Sequence, residues 1–163
     1  MALRIEASVV VRASRDAVWA ELIDWEGQRR WIPSTTVTVS TPHRTGLGVR
    51  VRAFSGLQVG PLPLGLVDNF VTTGWNERHE VEVLHLGPVF TGVGVFRLTD
   101  EVLDGRPGTR FTVIEDAVLP VAVLEQVARP FGRLLDAGLQ LSLRRFARLV
   151  GSSSTSTGPA PTA

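Results

Sequence analysis

Residues 34–120 read as a run of β-strands with no helical pattern between them, and one long helical pattern, residues 120–150, follows. The strand segments are TTVTVSTP, GLGVRVRAF, GLVDNFVTTGW, RHEVEVLHLG, VFTGVGVFRL and GTRFTVIEDAVL, each bounded by Gly, Pro, Asp or Asn turn signals. The connections HLGPVF and DGRPGT are short, which suits antiparallel neighbours. In the last segment Val123, Val127, Phe131, Leu134, Leu135, Leu139, Phe146 and Leu149 recur at helical spacing. Pro130 is expected to kink it, and Arg144, Arg145 and Arg148 complement the dipole of its last turns. Many strands and one long helix predict an α+β fold with one sheet wrapped against one helix. The stretch SGLQVGPLPLG, residues 55–65, is too rich in Pro and Gly for a central strand and is expected to be a loop.

Ahead of the strands, residues 3–12 alternate and are β-branched, so they predict a further strand. Ser14 then looks like the N-cap of an amphipathic helix, SRDAVWAELIDW, and EGQRRWIP is a second short helical piece that must end before Pro33. The element order is therefore strand, two short helices, six strands and one long helix. The segment GSSSTSTGPAPTA, residues 151–163, is small and polar with nothing to bury, and predicts a disordered tail after a single domain of residues 2–150.

Charges fix which way each strand faces, because successive side chains alternate. In RHEVEVLHL, Glu80 and Glu82 point outward and leave Val81, Val83 and His85 inward. In TRFTVIED, Arg110 and Thr112 outward leave Phe111, Val113 and Glu115 inward. Arg50 and Arg52 outward leave Val49, Val51 and Ala53 inward. In FTGVGVFRL, Arg97 outward leaves Phe90, Gly92, Gly94, Phe96 and Leu98 inward. Two glycines thus stand where a half-buried strand should carry side chains, as expected of a sheet that bends sharply around an interior space.

Composition removes several chemistries. The chain has no cysteine, so disulfides, thiolate nucleophiles and cysteine metal sites are excluded, and with no tyrosine there is no phenol acid. All seventeen basic residues are arginine, which excludes lysine Schiff bases. A net charge of +1 does not suggest a nucleic-acid partner, which calls for a clustered basic face. His43, His79 and His85 lack close metal-ligand spacing, no Gly-x-Ser-x-Gly elbow occurs, and the Gly-rich stretches do not lead into helices. Neither a metal nor a cofactor is expected. No apolar run has the length of a membrane span, and the N-terminus carries Glu6 and Arg12 without a cleavage site. The expectation is a cytoplasmic protein without stable membrane insertion.

The pieces VWAELIDWEGQRRWIP, DNFVTTGW, VEVLHLGPVFTGVGVFRL, GTRFTVIEDAVLP and RPFGRLLDAGLQLSLRRFARLV, in that order, cover nearly all of residues 2–150. Together they resemble the START-like, or SRPBCC, superfamily, and within it the bacterial group labelled polyketide cyclase/dehydrase-like. The resemblance implies a helix-grip fold, in which a curved seven-stranded antiparallel sheet wraps around a long C-terminal helix and leaves a deep, mostly apolar cavity. It also implies a register for LVDNFVTTGW with Asp68, Phe70 and Thr72 inside. The implied lining is Val51, Phe70, Thr72, Val83, His85, Phe90, Gly92, Gly94, Phe96, Phe111, Val113 and Glu115 from the sheet. The long helix adds Val127, Phe131 and Leu135. Trp25 and Trp31, with the GLQVGPLPLG stretch, would then stand at the cavity mouth as part of a gate.

Such proteins bind or transport lipids, sterols and hormones, and some act on aromatic polyketides, so the implied partner is a hydrophobic small molecule and the reaction is not implied. The first functional expectation is binding of a lipid, polyketide or aromatic compound in a carrier or sequestration role. The alternative is a cofactor-free polyketide cyclase or dehydratase with Glu115 and His85 as acid/base pair and Asp68 beside them. A buried carboxylate resists ionisation and histidine titrates near neutrality, which suits enolisation between two carbonyls. A third reading, a module working through protein contacts, calls for a contiguous exposed apolar patch. Each ionisable residue also has a structural reading. Asp68 would satisfy backbone donors, His85 would line the rim, and Glu115 would pair with Arg129 or Arg133 of the long helix.

Overall fold

A computed structural model of the chain describes residues 2–59, 62–88, 90–118 and 121–155, with side chains described except at 2–3, 57–59, 62–64, 121–135 and 154–155. The predicted alternation forms seven strands: β1 (Ala2–Val11), β2 (Thr35–Val39), β3 (Arg50–Val59), β4 (Leu62–Asn76), β5 (Glu80–Pro88), β6 (Thr91–Leu103) and β7 (Arg106–Val118). They make one antiparallel sheet in the order β1-β7-β6-β5-β4-β3-β2. From β2 to β7 every strand pairs with the next, and β1 closes the far edge on β7 with Ile5 opposite Glu115.

Between β1 and β2 lie helix α1 (Arg15–Leu22) and a 3-10 helix (Trp25–Arg30). The Ser14 hydroxyl accepts from the Ala17 N–H at 3.3 Å, which satisfies one orphan donor and starts α1. Asp24 does the same for the 3-10 helix through Gly27 N–H at 3.2 Å. Helix α2 (Val121–Thr155) is one helix across Pro130. It also continues through Gly151–Thr155, so the helix ends five residues later than the sequence suggested. Small hydroxyl side chains can sit in a last helical turn by returning to its carbonyls, as Ser152 and Ser153 do to the Leu149 carbonyl. The rest of the expected tail lies outside the described residues.

Two expectations are corrected. Residues 55–59 and 62–65 are strand, paired from Ser55 opposite Leu66 to Val59 opposite Leu62. Pro63 is tolerated there because, among the described residues, β2 pairs with β3 only as far as Ser55 and β5 pairs with β4 only from Asp68 onward, so the outer part of β3 and β4 is a two-stranded ribbon. Trp25 and Trp31 are core residues, 1% and 3% exposed, not gate residues at a mouth. The Trp25 indole donates to the Arg44 carbonyl at 3.0 Å and stands edge-on to Phe70, while Trp31 stands edge-on to Phe111 and Phe146.

The core is dense at one end of the concave face. Leu143 and Phe146 of α2 are fully buried with Val11, Val18, Leu22, Phe111 and Val113, and Phe111 is held among Trp31, Phe96 and Phe146. Side chains of this size each contribute about 1.5–3 kcal/mol on full burial.

Candidate functional site on the concave face

The strands carrying the ionisable residues are positioned by two irregularities in the β4–β5 pairing. Asp68 lies opposite Pro88 but Phe70 lies opposite His85, so β5 has the longer path there, and the side chain of Asp68 meets the ring of His85. Between Thr72 and Gly74 the partner moves only from Val83 to Glu82, so Thr73 is extra on β4. This bulge turns Trp75 toward the core, edge-on to Trp19 at 5.2 Å.

His85 is the centre of the site and is 6% exposed. Its Nδ1 lies 2.9 Å and 3.0 Å from the two Asp68 carboxylate oxygens, and its Nε2 lies 3.1 Å from Glu115 Oε2. Both ring nitrogens face carboxylate oxygens, an arrangement that favours the doubly protonated ring. Burial alone would push the His85 pKa down, but its hydrogen bonds to Asp68 and Glu115 and their negative charge outweigh it, and the pKa rises to about 9. The imidazole stands between the two carboxylates. The three groups do not converge on a point, and no group of three or more His, Asp or Glu among the described residues has the arrangement of a metal site.

The two glycines of β6 explain how β5 reaches β7. Gly94 lies opposite Val83 on one side and Glu115 on the other, and Gly92 lies opposite His85 and Ala117. Strands two apart in a sheet are about 9–10 Å apart, so His85 and Glu115 meet only if the strand between them presents nothing inward. A Cβ on Gly94 would lie 2.9 Å from both Glu115 Oε2 and His85 Nε2. Gly92 has φ +143°, and a Cβ there would run into the Asp116 carbonyl. The empty strip is the path of the His85–Glu115 hydrogen bond.

Around this network the concave face stays partly open. The Asp68 and Glu115 side chains are 21% and 23% exposed, and Phe90 and Phe96 are half-buried. The Phe90 ring is tilted against His85 at 4.9 Å and Phe70 stands edge-on to it at 5.8 Å. Among the described residues Glu115 Oε1 has no hydrogen-bond partner; its only bond runs through Oε2.

The remaining residues expected to line a cavity divide by burial. Val51, Val83, Phe111 and Val113 are sealed in the core, as is Phe70. Thr72 is buried, and its hydroxyl is committed to backbone, donating to the Gly46 carbonyl at 2.7 Å and accepting from Val49 N–H at 2.9 Å. Its structural role is to hold the β2–β3 connection. Val127, Phe131 and Leu135 lie outside the residues with described side chains, as do Arg129 and Arg133. Among the described residues the partner of Glu115 is His85, the two residues that the cyclase alternative paired as acid and base; their direct hydrogen bond was not foreseen, although the Gly-x-Gly strip opposite His85 was its signal. An external groove of about 740 Å³ lies between α1 and the end of α2, lined by residues including Ala17, Glu21, Arg30 and Leu149; no member of the Asp68–His85–Glu115 network borders it.

No protein-family model and no curated protein matches the sequence. Solved structures do match in fold. The di-domain ARO/CYC StfQ from the steffimycin biosynthetic pathway superposes with a TM-score of 0.72 at 14% identity, over 95% of this chain and 53% of that one. A conserved protein from Geobacillus kaustophilus gives 0.70 at 15% identity, over 93% and 97% of the two chains. A protein from Thermus thermophilus gives 0.67 at 13%, over 93% and 99%. The chain therefore has the helix-grip fold that its sequence resembles, a curved seven-stranded antiparallel sheet with a long C-terminal helix. No helix among the described residues is long and apolar enough to cross a membrane.

Proposed function

We propose that the protein binds an apolar small molecule against the concave face of its sheet, with Asp68, His85 and Glu115 forming the polar end of the site. The observation that carries this reading is the buried His85 ring between two partly exposed carboxyl groups, in contact with Phe70 and Phe90. Ionised groups on an apolar face are costly even when paired, and a hydrophobic trio of equal volume packs at least as stably. A network kept there at the open end of the core suits a site that orients a ligand. The test is to purify the protein natively, identify by mass spectrometry any organic molecule it releases on denaturation, and titrate it with the neutral dye Nile red. A released apolar compound, or saturable Nile red fluorescence competed by one, is expected. Absence of both would sink the proposal.

A second reading is favoured by one specific observation, the relay in which His85 lies within hydrogen-bond reach of both Asp68 and Glu115. Glu115 Oε1 is the atom with room to take a proton from a ligand, and His85 holds a proton beside it. This suits a cofactor-free cyclase or dehydratase, and a fold neighbour is an ARO/CYC protein. In that case Glu115→Gln should accumulate an unreacted poly-ketone while the wild type carries its cyclised or dehydrated product. The same compound on both proteins would leave binding alone.

A further inference from the structure

Resting on the binding site just proposed, we infer that its ligand is a flat apolar molecule whose polar end donates a hydrogen bond, a hydroxyl or an amine, and that molecules ending in a carboxylate are refused. The argument is one of hydrogen-bond and charge inventory. A histidine ring has two N–H groups at most, and both are directed at protein acceptors, one at Asp68 and one at Glu115. The network therefore offers no donor to an incoming anion. What it does offer is acceptors: Glu115 Oε1 has no partner among the described residues, and Asp68 and Glu115 both stay partly exposed. Their ion pairs among the described residues are with His85 alone, so two carboxylates share one cation. A third carboxylate brought against them meets negative charge that the described residues balance with His85 alone, in a half-buried setting where repulsion is weakly screened. A hydroxyl or ammonium instead completes the open acceptor. The shape follows from the half-buried ring of Phe90, tilted against His85 at 4.9 Å, which offers aromatic surface beside the network, with Phe70 buried edge-on behind the imidazole.

The test compares two probes with the same ring system and opposite polar ends, 2-naphthol and 2-naphthoate, by calorimetry at pH 7, with 2-methoxynaphthalene as the ring lacking a donor. Naphthol should bind at least tenfold more tightly than either of the others. In Glu115→Gln the preference for naphthol over naphthoate should shrink to within about threefold, since one negative charge is removed with the shape kept. Circular dichroism reports whether that variant folds; if it does not, Asp68→Asn removes a charge from the other side of the ring and is read in the same way. Naphthoate binding as tightly as naphthol to the wild type overturns the inference while the binding site stands. A naphthol preference undiminished in a folded variant also overturns it, because the selectivity then arises elsewhere. Binding of none of the three, together with no uptake of Nile red, removes the site itself.

Discussion

At the scale of single residues, the side-chain inventory makes His85 unusually easy to interrogate. The chain has no lysine, tyrosine or cysteine, so no ammonium side chain, phenol or thiol titration overlaps that of His85. The folded-state pKa of His85 is raised from 6.5 to about 9. A raised pKa means that the imidazolium stabilises the fold fully below pH 6.5 and that this contribution is lost as pH rises through 9. Urea midpoints measured from pH 7 to 10 should therefore fall in the wild type and stay nearly level in His85→Gln. A level wild-type profile would contradict the network. Gly94→Ala tests the same bond sterically. The atoms nearest its methyl group are the tips of Glu115 and His85, and the flexible Glu115 can yield, so a cost of about 1 kcal/mol is expected, with the His85 titration moved downward as Glu115 is pushed away. Gly92→Ala differs, since backbone is in the way and φ is positive, and about 3 kcal/mol or failure to fold is expected in the same urea assay.

At the scale of elements, charge alternation was enough to orient β3, β5, β6 and β7, because each carries an outward Arg or Glu that breaks the symmetry between faces. β4 has no such marker. Its facing depends on the irregularities around Asn69 and Thr73, which arise from pairing with β5 and leave no periodic trace. The ribbon of residues 55–59 and 62–65 escapes a sequence reading for a related reason, since proline excludes a central strand but says nothing against a strand with a free edge. The α1–3-10 corner has its own fastening. Arg30 bridges Glu21 at 2.9 Å and Asp24 at 2.6 Å, and burial raises the pKa of Glu21 against the opposing pull of Arg30. Arg30→Ala leaves Glu21 mostly buried without its cation, and a loss of about 1 kcal/mol is expected in thermal melts near neutral pH. Glu21→Gln in the Arg30→Ala background should recover most of it.

At the scale of the whole molecule, packing and chemistry occupy different ends of one concave face. Phe146→Ala, which opens the sealed end among Trp31 and Phe111, should cost about 3–5 kcal/mol by denaturant titration and leave probe binding at the other end comparatively intact. His85→Gln should abolish probe binding at the other end, with a loss of stability at pH 7 that shrinks as pH rises toward 10. The fold was legible because its signals are local: strand alternation, caps and one long amphipathic helix. The site was legible only as three inward ionisable residues. That they meet is a property of sheet curvature and of the emptiness of β6, and pairwise distance across three strands is not written in any one of them.

The network has one more property that follows from where its ends are anchored. Asp68 belongs to β4, His85 to β5 and Glu115 to β7, so their spacing is a chord drawn across the arc of the sheet. If the arc flattens or tightens around a guest, the chord must change length, and the affinity of the imidazole for its proton must change with it. A guest that changed the curvature would then change the protonation of His85 as well. Calorimetry of ligand binding in buffers of different ionisation enthalpy would read that change directly, as protons taken up or released with each molecule bound.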